Sequence, residues 1–326
     1  MVNINLKIYY MVIKILGDFV NNKIIDKDFF NENIIDVANE ENSQKIYIGR
    51  IYYIAKKHNL VSLMAQAMEK LGFESDSDIW KRWLKEKNQL IYKSVLMDVE
   101  REAIQDFFEK NNIWYMLLKG MVIRKYYPAP ELREMADNDI LFDNKYSKEV
   151  YEFMTARGYK CDDYNKGYHD EYLKPPAYNF EMHRQLVSSK ERPKWYEYYK
   201  DVKSILIKDT NENRETAANS ESNNTSNQFY FSDNDFYVYF IVHTYKHFLN
   251  SGMDVYLYVS NLQEKLDFDY IEEQLKKLDA YDFEQTFRSI AFKMFGKNAK
   301  EGNAAADELQ DSFDDKEQDM LRESFD

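Results

Sequence analysis

The chain has a single cysteine, Cys161, among 326 residues. That excludes an intrachain disulfide and a zinc site built on cysteines. Proline and glycine are scarce, at five and nine, which argues for long helices and against a turn-rich all-β design. Neither a GxxxxGK[ST] nor a GxGxxG pattern occurs, so there is no P-loop and no dinucleotide-binding turn. A basic stripe is also missing: 44 Lys and Arg face 57 Asp and Glu, for a net charge of −13. Duplex DNA and long RNA are therefore not expected as main partners. Much of the acidic excess is local, since residues 300–326 hold ten acids and three bases, a net −7. The apolar opening MVNINLKIYYMVIKILGDF is interrupted by Lys7 and Lys14. It has no small-residue cleavage site and is too short for a bilayer span. It reads as an amphipathic helix of a cytoplasmic protein with no membrane partner.

Apolar and aromatic side chains are plentiful, at 44% hydrophobic with 27 Tyr and 21 Phe. They suffice for one elaborated domain or two. Residues 1–110 read as a helical lead-in. AKKHNLVSLMAQAMEKLG repeats its apolar residues at about 3.6 and stops at Gly72, and SDSDIWKRW opens one long helix or two behind Ser and Asp caps. From Ile113 the texture changes. IWYMLL is a short apolar run fit for a buried strand, Gly120 breaks it, and MVIRKYY is a short helix stopped by Pro128 and Pro130. DILF is a second strand, and KYSKEVYEFMTARGY is a helix closed at Gly158. A ragged polar segment, CDDYNKGYHDEYLKPP, comes next. AYNFEMHRQL then alternates, with Asn179, Glu181 and His183 on one face and Phe180 and Met182 on the other. The expected divisions are a helical region over 1–110, a core over 111–208, a flexible loop over 209–228, a helical region over 229–298 and a mobile acidic tail over 299–326. Ser232 and Asp235 supply a capping-box-like start to the first C-terminal helix.

Asp137 and Asp139 sit two apart where a strand begins, so their carboxylates share a face. Two acids so close repel unless cations lie between them. Mg²⁺ suits them, because it takes one or two carboxylates together with phosphate oxygens and water. Glu181, from a neighbouring strand, would complete a triad for two-metal phosphoryl or nucleotidyl transfer. Upstream, Gly120 between strand and helix allows close backbone approach to a phosphate. Lys119 and Arg133 would add positive charge there. Each has a blander reading as well: Lys119 capping a strand end, Arg133 pairing with a nearby acid, Glu181 as a solvated strand acid, His183 as a structural histidine. His243 and His247 are four apart on a helix, a spacing able to hold zinc, but no HExxH glutamate lies between them and no third ligand is evident.

Leu118-Lys119-Gly120, Tyr126-Tyr127-Pro128, Leu132-Arg133-Glu134-Met135, Asp137-Asn138-Asp139 and Glu181-Met182-His183 follow one another in that order. Together they resemble the uncharacterised bacterial nucleotidyltransferase family of the DNA polymerase β superfamily, over about residues 50–290 with the sharp motifs between 117 and 184. His243-Thr244-Tyr245-Lys246-His247 resembles a helix motif of the same family, which makes Lys246 and His247, with His183, candidate substrate contacts. The resemblance implies an α+β fold with a small mixed sheet of polymerase β type between N- and C-terminal helices. It also implies Mg²⁺, or Mn²⁺, on Asp137, Asp139 and Glu181. The expected reaction moves a nucleotidyl group from a nucleoside triphosphate to a hydroxyl of a small molecule or a protein. A catalytically inactive nucleotide- or partner-binding module, or a member of a toxin–antitoxin pair, is the alternative. The superfamily's Gly-Ser is here Lys119-Gly120, and FLNSGMDVYLYV is shorter than the family's loop and Asp-bearing helix, which leaves Asp254 without an assigned role.

Overall fold

A single helix, α5 (Asp78–Lys110), connects the two halves of the molecule, which a computed structural model describes for residues 4–23, 27–35, 46–176, 178–210, 226–244, 248–296, 312–314, 316–318 and 320. The helix has 33 residues and is about 50 Å long at 1.5 Å per residue. Ser77 caps it, its hydroxyl accepting from the Trp80 amide at 3.3 Å. Its first turns send Trp80 and Trp83 into one core, where Trp83 Nε1 donates to the Val61 carbonyl at 3.0 Å. Its last turns send Ile104 and Phe108 into another.

The first core is mostly helical, although Met116 and Leu141 of the sheet also belong to it. Before α5 come α1 (Ile4–Val20), α2 (Lys27–Asn33), the two-residue strands β1 (Ile34–Ile35) and β2 (Ile46–Tyr47), α3 (Ile48–Lys57) and α4 (Val61–Lys70). At the far end of the chain stand α9 (Asp233–His243), α10 (Phe248–Leu262), α11 (Phe268–Lys277) and α12 (Tyr281–Phe295). These two sets pack into each other: α1 lies on α12, and Asn21 both donates to the Phe295 carbonyl at 2.7 Å and accepts from Tyr256 at 2.6 Å. The N- and C-terminal helical regions therefore share a single core. Ser232 caps α9 as expected, accepting from the Asp235 amide at 3.1 Å.

The second core lies under a four-stranded sheet of order β3-β4-β6-β5, made of β3 (Tyr115–Leu117), β4 (Asn138–Phe142), β5 (His169–Lys174) and β6 (Tyr178–His183). Strand β4 runs parallel to β6, and the two outer strands are antiparallel to their neighbours. Between β3 and β4 lies the one-turn helix α6 (Gly120–Ile123), and α7 (Ser147–Ala156) follows β4. After β6 come α8 (Pro193–Tyr199) and a small hairpin of β7 (Ile207–Lys208) and β8 (Phe229–Tyr230). Ile140, Phe142, Tyr172, Phe180 and Met182 point down onto Ile104 and Phe108 of α5 and Val150 and Met154 of α7. The fold is α+β, and no helix of the described residues is long and apolar enough to cross a membrane.

The polar segment ending in KPP is not all ragged: HDEYLK forms β5, paired along its length with β6. Its alternation is hidden because Asp170, on the buried face, is neutralised by a salt bridge to Arg184. Residues 211–225 of the expected flexible loop lie outside the described residues, but its two ends are joined, the Asp209 amide donating to the Gln228 carbonyl at 2.9 Å. Asn227 donates its amide to Glu109 at 2.9 Å and accepts from the Tyr115 amide at 3.1 Å. The described residues of the acidic tail are packed against α12. Phe313 is buried, and Glu317 takes Ser289 at 2.7 Å and Lys293 at 2.6 Å from α12. A charge count cannot reveal acids that are individually partnered.

Candidate active site

The upper face of the sheet begins with the pairing of β4 and β6, which sets Asp139 directly across from Glu181. Asp137 immediately precedes the strand, and one oxygen from each of Asp137, Asp139 and Glu181 falls within 4.8 Å of the other two. The Lys119 ammonium rests on Asp139 Oδ1 at 2.6 Å and stands 3.9 Å from Glu181 Oε2. His183 Nε2 meets the same Asp139 oxygen at 2.9 Å and Glu181 Oε2 at 3.3 Å. The residues expected to meet do so.

Their electrostatics differ sharply. Burial raises the Asp137 carboxyl, the Asp139 and Glu181 charges raise it further, and it reaches about 6. For Asp139 burial also favours the neutral acid, but the His183 hydrogen bond and the Lys119 charge overcome it and hold the carboxyl well below the usual range. Burial pulls Lys119 and His183 down, and in both the carboxylates more than compensate, raising them above their ordinary values. Three hard oxygen donors with a net formal excess of negative charge fit a Mg²⁺-type cation.

Lys119 is held in an unusual conformation, with φ at +47° and ψ at −117°. A side chain there costs on the order of 1–3 kcal/mol. The sequence pointed to Gly120 for close approach of the backbone to a phosphate; the positive φ falls on Lys119. Gly120 is required for space: a Cβ there would collide with Arg133 Nη1 and lie 3.0 Å from Met135 Sδ. The helix behind it is one turn long, so it contributes little dipole to an anion.

Arg133 pairs with an acid, though not with one of those near it in the chain. Its Nε and Nη2 donate to both oxygens of Asp254 at 2.9 and 2.7 Å, and Tyr127 adds a third bond to Asp254 at 2.7 Å. This buried pair ties the loop before β4 to α10 and leaves Nη1 over Gly120. Asp254 carried a signal in the sequence, a lone acid in an apolar helix, but its partner is 121 positions away.

A cavity of 390 Å³ opens in front of these groups. Lys119, Gly120, Arg133, Asp137 and Asp139 form one wall, and His243, Thr244, Asn250, Ser251 and Asp254 another. The third wall is the turn between α3 and α4, with Lys57, His58 and Asn59, so the helical lead-in reaches the site. Burial, and then the charge of Lys57, lower the His58 imidazole to about 4. An adjoining chamber of 260 Å³ shares Asn59 and residues 133–136 and reaches Ser94 and Met97 on α5. Glu181 and His183 do not line the cavity, and His183 is buried beside Asp139, with Nε2 2.9 Å from its Oδ1. Lys246 and His247 lie outside the described residues. Sequence reasoning passed over His169, whose Nε2 is 3.9 Å from Glu181 Oε2.

A carboxylate triad on paired strands, with a lysine on the triad and a cavity before it, defines a candidate site for cation-assisted group transfer. The family model described as "Uncharacterised nucleotidyltransferase" matches residues 44–296, and the chain belongs to that family. No curated protein and no solved structure matches the chain.

Proposed function

We propose that the protein is a Mg²⁺-dependent nucleotidyltransferase, of polymerase β-type architecture, that moves a nucleoside monophosphate from a nucleoside triphosphate to an acceptor hydroxyl on a small molecule or a protein. The observation that carries this reading is the convergence of Asp137, Asp139 and Glu181 beside Lys119, with Asp137, Asp139 and Lys119 in the wall of a cavity large enough for a ligand of nucleotide size and Glu181 directly behind them. The family assignment supports the same reading. Mg²⁺, when bound by the three carboxylates, supplies charge neutralisation for the phosphates and for the attacking oxygen. The residues of the chain do the rest. Asp137 and Asp139 fix the cation and hence the triphosphate. His183 holds Asp139 in place from behind. Lys119 exchanges part of its contact with Asp139 for a phosphate oxygen. The acceptor oxygen bonds to the α-phosphorus, the bond to pyrophosphate breaks, and Glu181 takes the hydroxyl proton. Arg133, locked on Asp254, sets the position of the loop and offers Nη1 above Gly120.

A thermal-shift panel with ATP, GTP, CTP and UTP, each with and without Mg²⁺, tests the reading. A nucleotide at one hundred times its dissociation constant stabilises the folded chain by about 2.7 kcal/mol. The expected result is a Mg²⁺-dependent shift with at least one nucleotide, absent in Asp137→Ala/Asp139→Ala. Folded protein with no shift for any nucleotide would overturn it.

A further inference from the structure

The same sheet face carries a second group of ligand atoms. His169 opens β5 directly opposite His183 on β6, and the two ring centroids are 5.0 Å apart. Both Nε2 atoms face a single oxygen, Glu181 Oε2, at 3.3 Å from His183 and 3.9 Å from His169. One ligand atom each from His169, Glu181 and His183 lies within 4.8 Å of the other two. His183 Nε2 also meets Asp139 Oδ1 at 2.9 Å, His169 Nε2 has only the longer approach to Glu181, and Nδ1 of each ring is buried without a partner.

We propose that His169, Glu181 and His183 form a second cation site, selective for a transition-metal dication such as Mn²⁺, Fe²⁺ or Zn²⁺, and that Glu181 is shared between it and the carboxylate triad. The donor chemistry separates the two sites. Three carboxylates suit Mg²⁺, whereas two imidazoles and one carboxylate suit metals that bind nitrogen. Loading replaces the His183 contact to Asp139 Oδ1, 2.9 Å in length, and Asp139 keeps Lys119 on that oxygen. Neutral histidines add no charge of their own. The site therefore draws on the negative excess of the triad, and the two cations report on each other through Glu181. The inference concerns metal binding and does not depend on nucleotidyl transfer.

The test uses the full chain stripped of metal and titrated with Co²⁺, followed by its visible absorption, with Mg²⁺ affinity measured in parallel. His169 is half-buried, so His169→Ala is the variant of choice; circular dichroism checks that it folds. The expected result is Co²⁺ affinity weakened about tenfold or more by His169→Ala with Mg²⁺ affinity within about twofold of the parent, and the opposite ranking in Asp137→Ala. Co²⁺ affinity unchanged in a folded His169→Ala overturns the proposal. A reading on the unaltered chain guards against a variant that does not fold. Pulsed electron paramagnetic resonance of the Mn²⁺-loaded protein should show coupling to imidazole nitrogen, and its absence refutes the site.

Discussion

On the lower face of the sheet Ile140, Phe142, Tyr172, Phe180 and Met182 close onto α5 and α7. On the upper face the alternate residues of those strands are Asp139, Glu181, His183 and His169, with Lys119 laid across them. A strand sends successive side chains to opposite faces, so a residue of the core and a residue of the site are chain neighbours throughout. The rigidity of one face is what holds the other in place. Charged groups that would never gather in solution are kept within a few ångströms because their neighbours are packed.

That contrast predicts where substitutions do damage. The largest expected effect is on the lower face: Phe180→Ala should cost about 3–5 kcal/mol of stability, read by urea unfolding. A loss under about 1 kcal/mol would mean that this face is not the anchor. On the cavity side a substitution should stabilise. Glu134 accepts from the Ser62 amide at 2.6 Å, and burial raises its carboxyl to about 7. The folded state therefore binds the proton more tightly than the unfolded chain, whose glutamate titrates at the ordinary value of about 4.5. Its stabilising contribution is complete below pH ~4.5 and is lost as pH rises through ~7. Glu134→Gln, which keeps an acceptor for Ser62, should remove that slope and be the more stable protein at pH 8 by about 3 kcal/mol. Melting curves across pH 5–8 check it; a slope that persists in the variant would assign the titration elsewhere. The smallest effect concerns Lys119. Replacement by glycine relieves its backbone and replacement by alanine does not, so the Gly variant should be the more stable of the two by about 1 kcal/mol. Equal stabilities would show that the strain is released in solution.

The same contrast explains what could be read from the chain alone. Strand β6 announced itself because Phe180 and Met182 are apolar on one side and Asn179, Glu181 and His183 polar on the other. Strand β5 did not, because it puts an acid on both sides: Glu171 outward, and Asp170 inward against Arg184. The approach of Asp137, Asp139 and Glu181 followed from the strand period and the order of the motifs. The pairing of Arg133 with Asp254 and the arrival of the α3–α4 turn at the cavity did not, since both are meetings of segments distant in the chain. Pattern reports what a segment buries; only the fold reports what it is buried against.

Helix α5 carries a last consequence. Trp83 and Phe108 belong to different cores yet ride on one uninterrupted screw. Each residue added to an α-helix turns everything beyond it by about 100°. A single insertion between Ser94 and Ile104 would therefore swing Phe108 away from the sheet while Trp83 stayed in register. The length of α5 is thus set by phase as well as by reach.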